Sequence, residues 1–416
     1  MSFFRRLISE ISVSILHGIL MLLLSVWWLG ASFSLGLEEQ LFRFSAYLQR
    51  VITSDSLSRA QIANKYCFID LSGNITTRDR GDGSGVDMVT NRGQLASFMQ
   101  VLARHHGEFN FILCDVLFNE PDPNDSLLAG QLSMMTDFIT PYYIEKGVPI
   151  LPGLNIPADN TGYAGYDISS GPKASEKFLK YQLYYKGLLK SMPLVMYERM
   201  TAKEVDYKYG LLWLGNKPYF NTLIFDQLMQ PLDSKQRTGE VVVTPLNYIT
   251  RLLQKDEKGQ FDNILKNKII VLGNFKTDLH ETVYGKLAGP LILANMYEGL
   301  MRENNRISAG WVLYLLLCFS IVSYFLFYFT KKYSIKRKIS SNSWLKKMVR
   351  LLSYSLVIWA ISIVSFLAFN IHADVIIMII YIGFLQWLIR KWPAITAFLY
   401  VPRVNKATSK LENINS

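Results

Sequence analysis

Cysteine is scarce in this 416-residue chain: Cys67, Cys114 and Cys318 are all there are. Three thiols exclude a disulfide-framed domain. Cys67 and Cys114 fall on two strands expected to be neighbours, where they either pair or serve as small buried apolar residues. Histidine is as thin, with His17, His105, His106, His280 and His372 scattered along the chain. The acidic stretch Asp278-Leu279-His280-Glu281 lacks the second histidine four residues on that a zincin helix needs. No G-x-x-x-x-G-K-[ST] spacing occurs, so a nucleotide cradle has no support. Nor is there a Ser/His/Asp grouping with convincing spacing. The expectation is a protein without catalytic residues, metal or cofactor.

Charge is missing from four long stretches. Residues 11–37 carry none apart from the weak base His17, 307–330 and 351–370 carry none, and 375–389 is a shorter uncharged run. A helix needs about 20 apolar residues to span a bilayer. The first three runs meet that length, and the fourth meets it with help from Trp387 and other residues at its ends. Four transmembrane α-helices are therefore expected, one N-terminal (within 1–37) and three C-terminal (307–330, 351–370 and 373–390). The first run exceeds the ~7–15 apolar residues of a signal core, which favours an uncleaved anchor.

Acidic residues are nearly absent outside the central segment. Residues 38–306 hold 29 of the 44 Lys/Arg and 30 of the 33 Asp/Glu, which leaves 15 basic and 3 acidic residues for the remainder. The basic ones gather at Arg5 and Arg6, in the loop 331–350 (KKYSIKRKISSNSWLKKMVR), and at Arg390 and along the tail 391–416. Short basic segments stay in the cytoplasm, so residues 38–306 are expected outside the membrane. Topology thus accounts for the formal charge of +11. Anionic lipid is then a natural partner, and nucleic acid is not.

The outer segment is long enough for one sizeable domain. Continuous apolar runs YCFID (66–70), FILCDVLF (111–118), VPIL (148–151) and IIVLG (269–273) read as strands buried on both faces. QLASFMQVLARHH, after Asn91 and Arg92, and DSLLAGQLSMM, with Asp125 as its cap, read as helices between them. Alternating strands and helices predict an α/β domain with a largely parallel sheet. Residues 155–245 are rich in tyrosine and read as mixed helix and β, with no site assigned.

Ligands of open parallel sheets gather at the carboxyl ends of strands. Asp70, Asp115 and Asp278 stand at or just beyond such ends, and Arg92 is in reach of the same edge. These four are the candidate ligand-binding residues, although a structural ion-pair network holding the loops is the reading placed first, because such networks also cluster carboxylates. DRGDGSGVD (79–87) keeps no EF-hand register and reads as a solvated loop.

Gly273 closes a strand, Asp278 follows in a loop, and Gly289-Pro290 opens an amphipathic helix striped by Leu293, Ala294, Tyr297, Leu300 and Met301. This stretch resembles the C-terminal signature of the second-type CHASE domain, a sensory extracellular module of bacterial cyclases and histidine kinases. Gly273, Asp278, Gly289, Ala294 and Asn295 occupy the signature's places. Asp70, Arg92, CDVLFNEPDPNDSLLA and MPLVMYERM extend the likeness over most of residues 60–305. It departs where RDRGDGSGVDMVTN replaces a Trp-Pro-Trp segment, at Val283 for Pro, and at Leu293 for His.

The resemblance implies a sensory input protein of the bacterial inner membrane, multi-pass, with residues 38–306 in the periplasm or outside the cell. Family members continue into a kinase or cyclase, whereas this sequence stops at Ser416. The output is therefore expected on a separate membrane or cytoplasmic protein meeting the basic loop; a homodimer is a further partner to consider. The rival expectation is a non-enzymatic scaffold or assembly subunit of an envelope complex.

Overall fold

The computed structural model describes residues 2–31, 36–53, 57–79, 86–119, 121–145, 148–165, 177, 179–185, 188–231, 240–329, 343–373 and 375–399. The core of the loop at 79–87, residues 330–342 of the basic loop region and the tail beyond 399 lie outside the described residues. The chain divides into two units. One comprises Val26–Leu315 and Ser362–Ala373, the other Met1–Ser25, Leu316–Ile361 and Asp374–Ser416.

The first unit is built on a seven-stranded sheet. Its strands are β1 (Tyr66–Asp70), β2 (Phe111–Asp115), β3 (Phe138–Glu145), β4 (Val148–Ile150), β5 (Thr161–Tyr163), β6 (Val243–Pro245) and β7 (Ile269–Gly273). The order is β6-β1-β7-β2-β3-β4, with β5 also on β3, and every pairing is parallel except β3 with β4. The unit is thus a mixed α/β domain with a mostly parallel sheet.

Alternation along each strand supplies two cores. Tyr66, Phe68, Phe111, Leu113, Ile269 and Val271 face one of them, which α3 (Met192–Thr201) and α6 (Gly289–Met301) cover. Cys67, Ile69, Ile112, Cys114, Ile270 and Leu272 face the other, under α1 (Arg92–Arg104), α2 (Asp125–Leu132), α4 (Leu246–Lys255) and α5 (Glu257–Ile264). A strand covered on both faces must be apolar at every position, which is why β7 reads IIVLG and is buried throughout. Asn91 caps α1 by accepting from the Gln94 amide at 3.1 Å.

Several expectations are corrected. VPIL is an exposed antiparallel edge, with Val148 and Leu151 more than half exposed. The interior place beside β2 goes to β3, whose Phe138 and Ile139 pair with Ile112 and Leu113. Asp125 opens α2 without capping it, and its carboxylate instead accepts from the Asp122 amide at 2.8 Å. The helix after Gly289 is not amphipathic: Gly289 through Leu300 are all buried, because α3 and the 223–229 segment wrap the faces that the sheet leaves open. Cys67 and Cys114 are not on neighbouring strands. β7 lies between β1 and β2, so about 10 Å of sheet separates them, beyond disulfide reach, and both are free and buried.

Among the described residues, two helices are long and apolar enough to cross a membrane, Leu7–Leu29 (23 residues) and Ala309–Tyr328 (20 residues). Two further apolar helices, Tyr354–Phe369 and Ile376–Leu388, are shorter. Inside the second unit the ring of His17 lies 2.7 Å from Ser323 Oγ and 2.8 Å from Tyr381 Oη, which ties three helices through one polar side chain. Gly18 packs against Ser320 so closely that a Cβ there would fall 2.5 Å from Ser320 Oγ.

Candidate functional site

Parallel register sets Asp70, Gly273 and Asp115 side by side at the carboxyl edge of β1, β7 and β2. The central position must be glycine, since a Cβ on Gly273 would stand 2.3 Å from Pro290 Cγ and 3.2 Å from Asp115 Cβ. Because Gly273 leaves room, the first turn of α6 sits directly on the strand ends. Between them the chain turns on Asn274, whose Oδ1 accepts from the amides of Lys276 at 3.1 Å and Thr277 at 2.9 Å. The hairpin Leu279–Thr282 with Gly285–Ala288 then returns it to α6.

Two carboxylates flank the start of that helix. A Cβ on Gly289 would meet Asp278 Oδ2 at 2.3 Å and Asp115 Oδ2 at 3.0 Å, and the Gly289 amide donates to the Asp278 carbonyl at 3.0 Å. His280 Nε2 is 3.0 Å from Asp278 Oδ1. Burial, reinforced by the Asp278 charge and opposed by His280, pushes the Asp115 carboxyl up to about 7. Near neutral pH Asp115 is therefore poised between its two charge states at the positive end of a buried helix.

The other two expected ligand residues make their own contacts. Asp70 is buried and accepts from the Ser72 amide at 2.9 Å, Ser72 Oγ at 2.6 Å and the Phe275 amide at 3.2 Å, with Lys276 Nζ at 3.6 Å. Arg92 is buried, donates to Asp125, and lies 5.5 Å over the Phe118 ring. The structure thus joins Asp115 to Asp278, ties Asp70 to Ser72 and to the Phe275–Lys276 turn after β7, and directs Arg92 to the head of α2. Ala294 is buried packing. Asn295 latches a loop, taking the Met229 amide at 2.8 Å and donating to the Met229 carbonyl at 3.1 Å.

Sequence reasoning left the tyrosine-rich region without a site, yet a cavity of about 640 Å³ opens there. Tyr142, Thr161, Tyr184, Lys190, Glu198 and Arg199 line part of it. Lys190 Nζ reaches both Glu198 oxygens, at 2.9 and 2.7 Å, and Arg199 donates to the Thr136 carbonyl at 2.6 Å. The available signal was the Glu-Arg pair ending MPLVMYERM beside YQLYYKGLL, but only the fold shows that α3 brings them together. The volume suits a small polar molecule, and the lining offers two tyrosine rings together with the charged side chains Asp159, Lys190, Glu198 and Arg199.

Compared with protein-family models, curated proteins and solved structures, this chain matches none.

Among the described residues no group of three or more His, Cys, Asp or Glu is placed to hold a metal ion. The chemistry that the paired carboxylates Asp115 and Asp278 offer is recognition and proton exchange.

The exit from α6 is as closely bonded as its start. Glu298, one turn from the end, is buried and accepts from both Lys65 and Tyr66 at the root of β1. Beyond Met301, Ile307 donates to the Pro218 carbonyl at 2.9 Å and Phe220 to the Asn305 carbonyl at 3.2 Å, and the Asn305 side chain donates to Thr222. Glu303 pairs with Lys217 and Arg306, each at 2.5 Å.

Proposed function

We propose that this protein is a membrane-anchored sensory module of the bacterial inner membrane, with the α/β domain on the extracytoplasmic side and four membrane helices. On this reading it passes a signal to a separate protein. The observation that carries it is the path from the carboxyl edge of the sheet to the apolar helix. α6 starts on Asp115 and Asp278, runs 13 residues, or about 20 Å at 1.5 Å per residue, and continues through a linker hydrogen-bonded to residues 218–222. Ala309, the first residue of an apolar helix, follows two residues after Ile307. A shift at the strand ends has no slack segment on this path to absorb it.

The resemblance to the second-type CHASE domain supports the same reading, and so does the charge asymmetry that keeps basic segments in the cytoplasm. The cavity beside α3 is the proposed ligand site, and the basic loop 331–350 is the proposed contact for the partner. A scaffold role is the second reading, favoured by the exposed apolar rim of Val148, Leu151 and Leu188.

Crosslinking the full-length protein in native membranes, under several growth conditions, separates the two. A partner whose yield changes with condition, and changes again with Arg199→Ala, supports sensing. A fixed stoichiometric complex in every condition sinks it in favour of the scaffold.

A further inference from the structure

His372 lies in the short connection between the helices Ser343–Phe369 and Ile376–Leu399. It is 3% exposed. Phe366 stacks on its ring at 3.8 Å and 17°, and Phe42 meets it at 4.4 Å and 75°. Among the described residues its Nδ1 has no hydrogen-bond partner. Phe42 belongs to the helix Gly36–Thr53, which buries Phe42, Ser45 and Ala46 and leaves Tyr47 exposed.

Beside the imidazole is a cavity of about 10 Å³, walled in part by Asp226, Tyr284, Asn304 and Asn305. Asp226 and Tyr284 are the titratable groups on that wall. The helix 36–53 contributes Phe42 and Ala46, the linker contributes the two amides, and the helix 343–369 contributes Phe366. The connection also touches the linker, because the Asn305 amide donates to the Asn370 carbonyl at 3.5 Å.

A neutral imidazole is tolerated between two phenyl rings. An imidazolium is not, since Nδ1 becomes a donor without an acceptor and the charge is cut off from water. A stacked phenyl face offsets part of that cost, but removing the ring from the aromatic sandwich relieves all of it.

We infer that His372 is an acid-sensitive latch: protonation of its imidazole from the extracytoplasmic side parts the helix 36–53 from the connection and frees the linker that leads into the helix starting at Ala309. This rests on the proposed topology, which places residues 370–374 on the same side as the α/β domain. It adds to the sensory reading a stimulus, external acid, that needs no ligand.

The sign follows from linkage. Burial holds the His372 pKa down at about 3, against 6.5 for an ordinary histidine. A group whose pKa is depressed in the closed form binds more protons once open, so closure weakens as pH falls below 6.5 and continues to weaken toward 3. The ratio of open to closed rises by up to about tenfold per pH unit in that window.

The test is hydrogen exchange of the full-length protein in lipid nanodiscs at about pH 7.5 and about pH 5.5, corrected for intrinsic amide chemistry. The expected result is a roughly tenfold loss of protection across residues 36–53 and 302–307 at the lower pH, absent in His372→Gln and His372→Phe. Equal protection of the natural protein at both pH values overturns the latch. So does an equal acid response in either variant. A membrane-impermeant label on Asp374→Cys separates the failures. Labelling only from the cytoplasmic side sinks the topology and the latch together, whereas labelling from outside with pH-independent exchange sinks the latch alone.

Discussion

At the residue scale, the candidate acids behave differently because their surroundings differ. Asp115 shares the head of α6 with Asp278, and its carboxyl is pushed up to about 7. A raised carboxylate pKa stabilises the fold below the ordinary value and loses that contribution as pH rises through the folded value. Asp115→Asn should therefore leave stability unchanged near pH 4 and raise it by about 1–2 kcal/mol near pH 8, after discounting for partial exposure. Tm of the full chain in detergent across that range checks this. A variant less stable than the natural protein at pH 8 means the charged form is needed. Arg92 is buried against the Asp125 carboxylate and the Phe118 ring. Arg92→Ala should cost about 2–4 kcal/mol, and Arg92→Lys should recover little of it, because the ring contact needs the planar guanidinium. Unchanged Tm would return Arg92 to the ligand-binding reading.

At the element scale, α6 decides the architecture. Its apolar stripe predicted one buried face, yet every face is buried, and the polar residues on it, Asn295 and Glu298, each hold a neighbouring segment. Asn295→Leu adds apolar surface but leaves the Met229 amide and carbonyl without partners. The expected loss is about 2–4 kcal/mol, read as a fall in Tm, since a buried unpaired polar pair outweighs the gain of one side chain. A rise in Tm would show that the 229 loop repacks. Asn305 adopts φ 64° and closes the linker on Thr222. Asn305→Gly keeps that backbone and removes the side-chain bond. It should therefore raise linker hydrogen exchange while leaving Tm of the α/β domain within about 1 kcal/mol equivalent.

At the scale of the whole molecule, the membrane reading is open to direct labelling. Tyr209 is 96% exposed on the α/β domain. Tyr209→Cys should react with an impermeant maleimide in intact cells with a permeabilised outer membrane, and Ser340→Cys, in the basic loop, only after the inner membrane is broken. Cys67 and Cys114 add little background because they are buried, with the Cys67 thiol pushed up to about 11, and the half-buried Cys318 is replaced by Ser in the labelling variants. The opposite pattern would invert the topology and with it the sensory proposal.

What linear order determined by itself is local. Uncharged runs mark helices suited to lipid, continuous apolar runs mark strands covered on both faces, Asn91 caps a helix, and Gly273 with Gly289-Pro290 marks a tight turn into another. Each depends on a few neighbouring residues, so the sequence suffices. Only the tertiary structure decided that β7 inserts between β1 and β2, separating the cysteines and setting Asp70, Gly273 and Asp115 in a row. It alone sent Arg92 to Asp125, placed Asp278 against Asp115, and assembled the cavity beside α3 from segments that carry no common motif. Those partnerships form across long loops, where closure costs vary only slowly with length and many pairings are nearly equal until the packed core selects one.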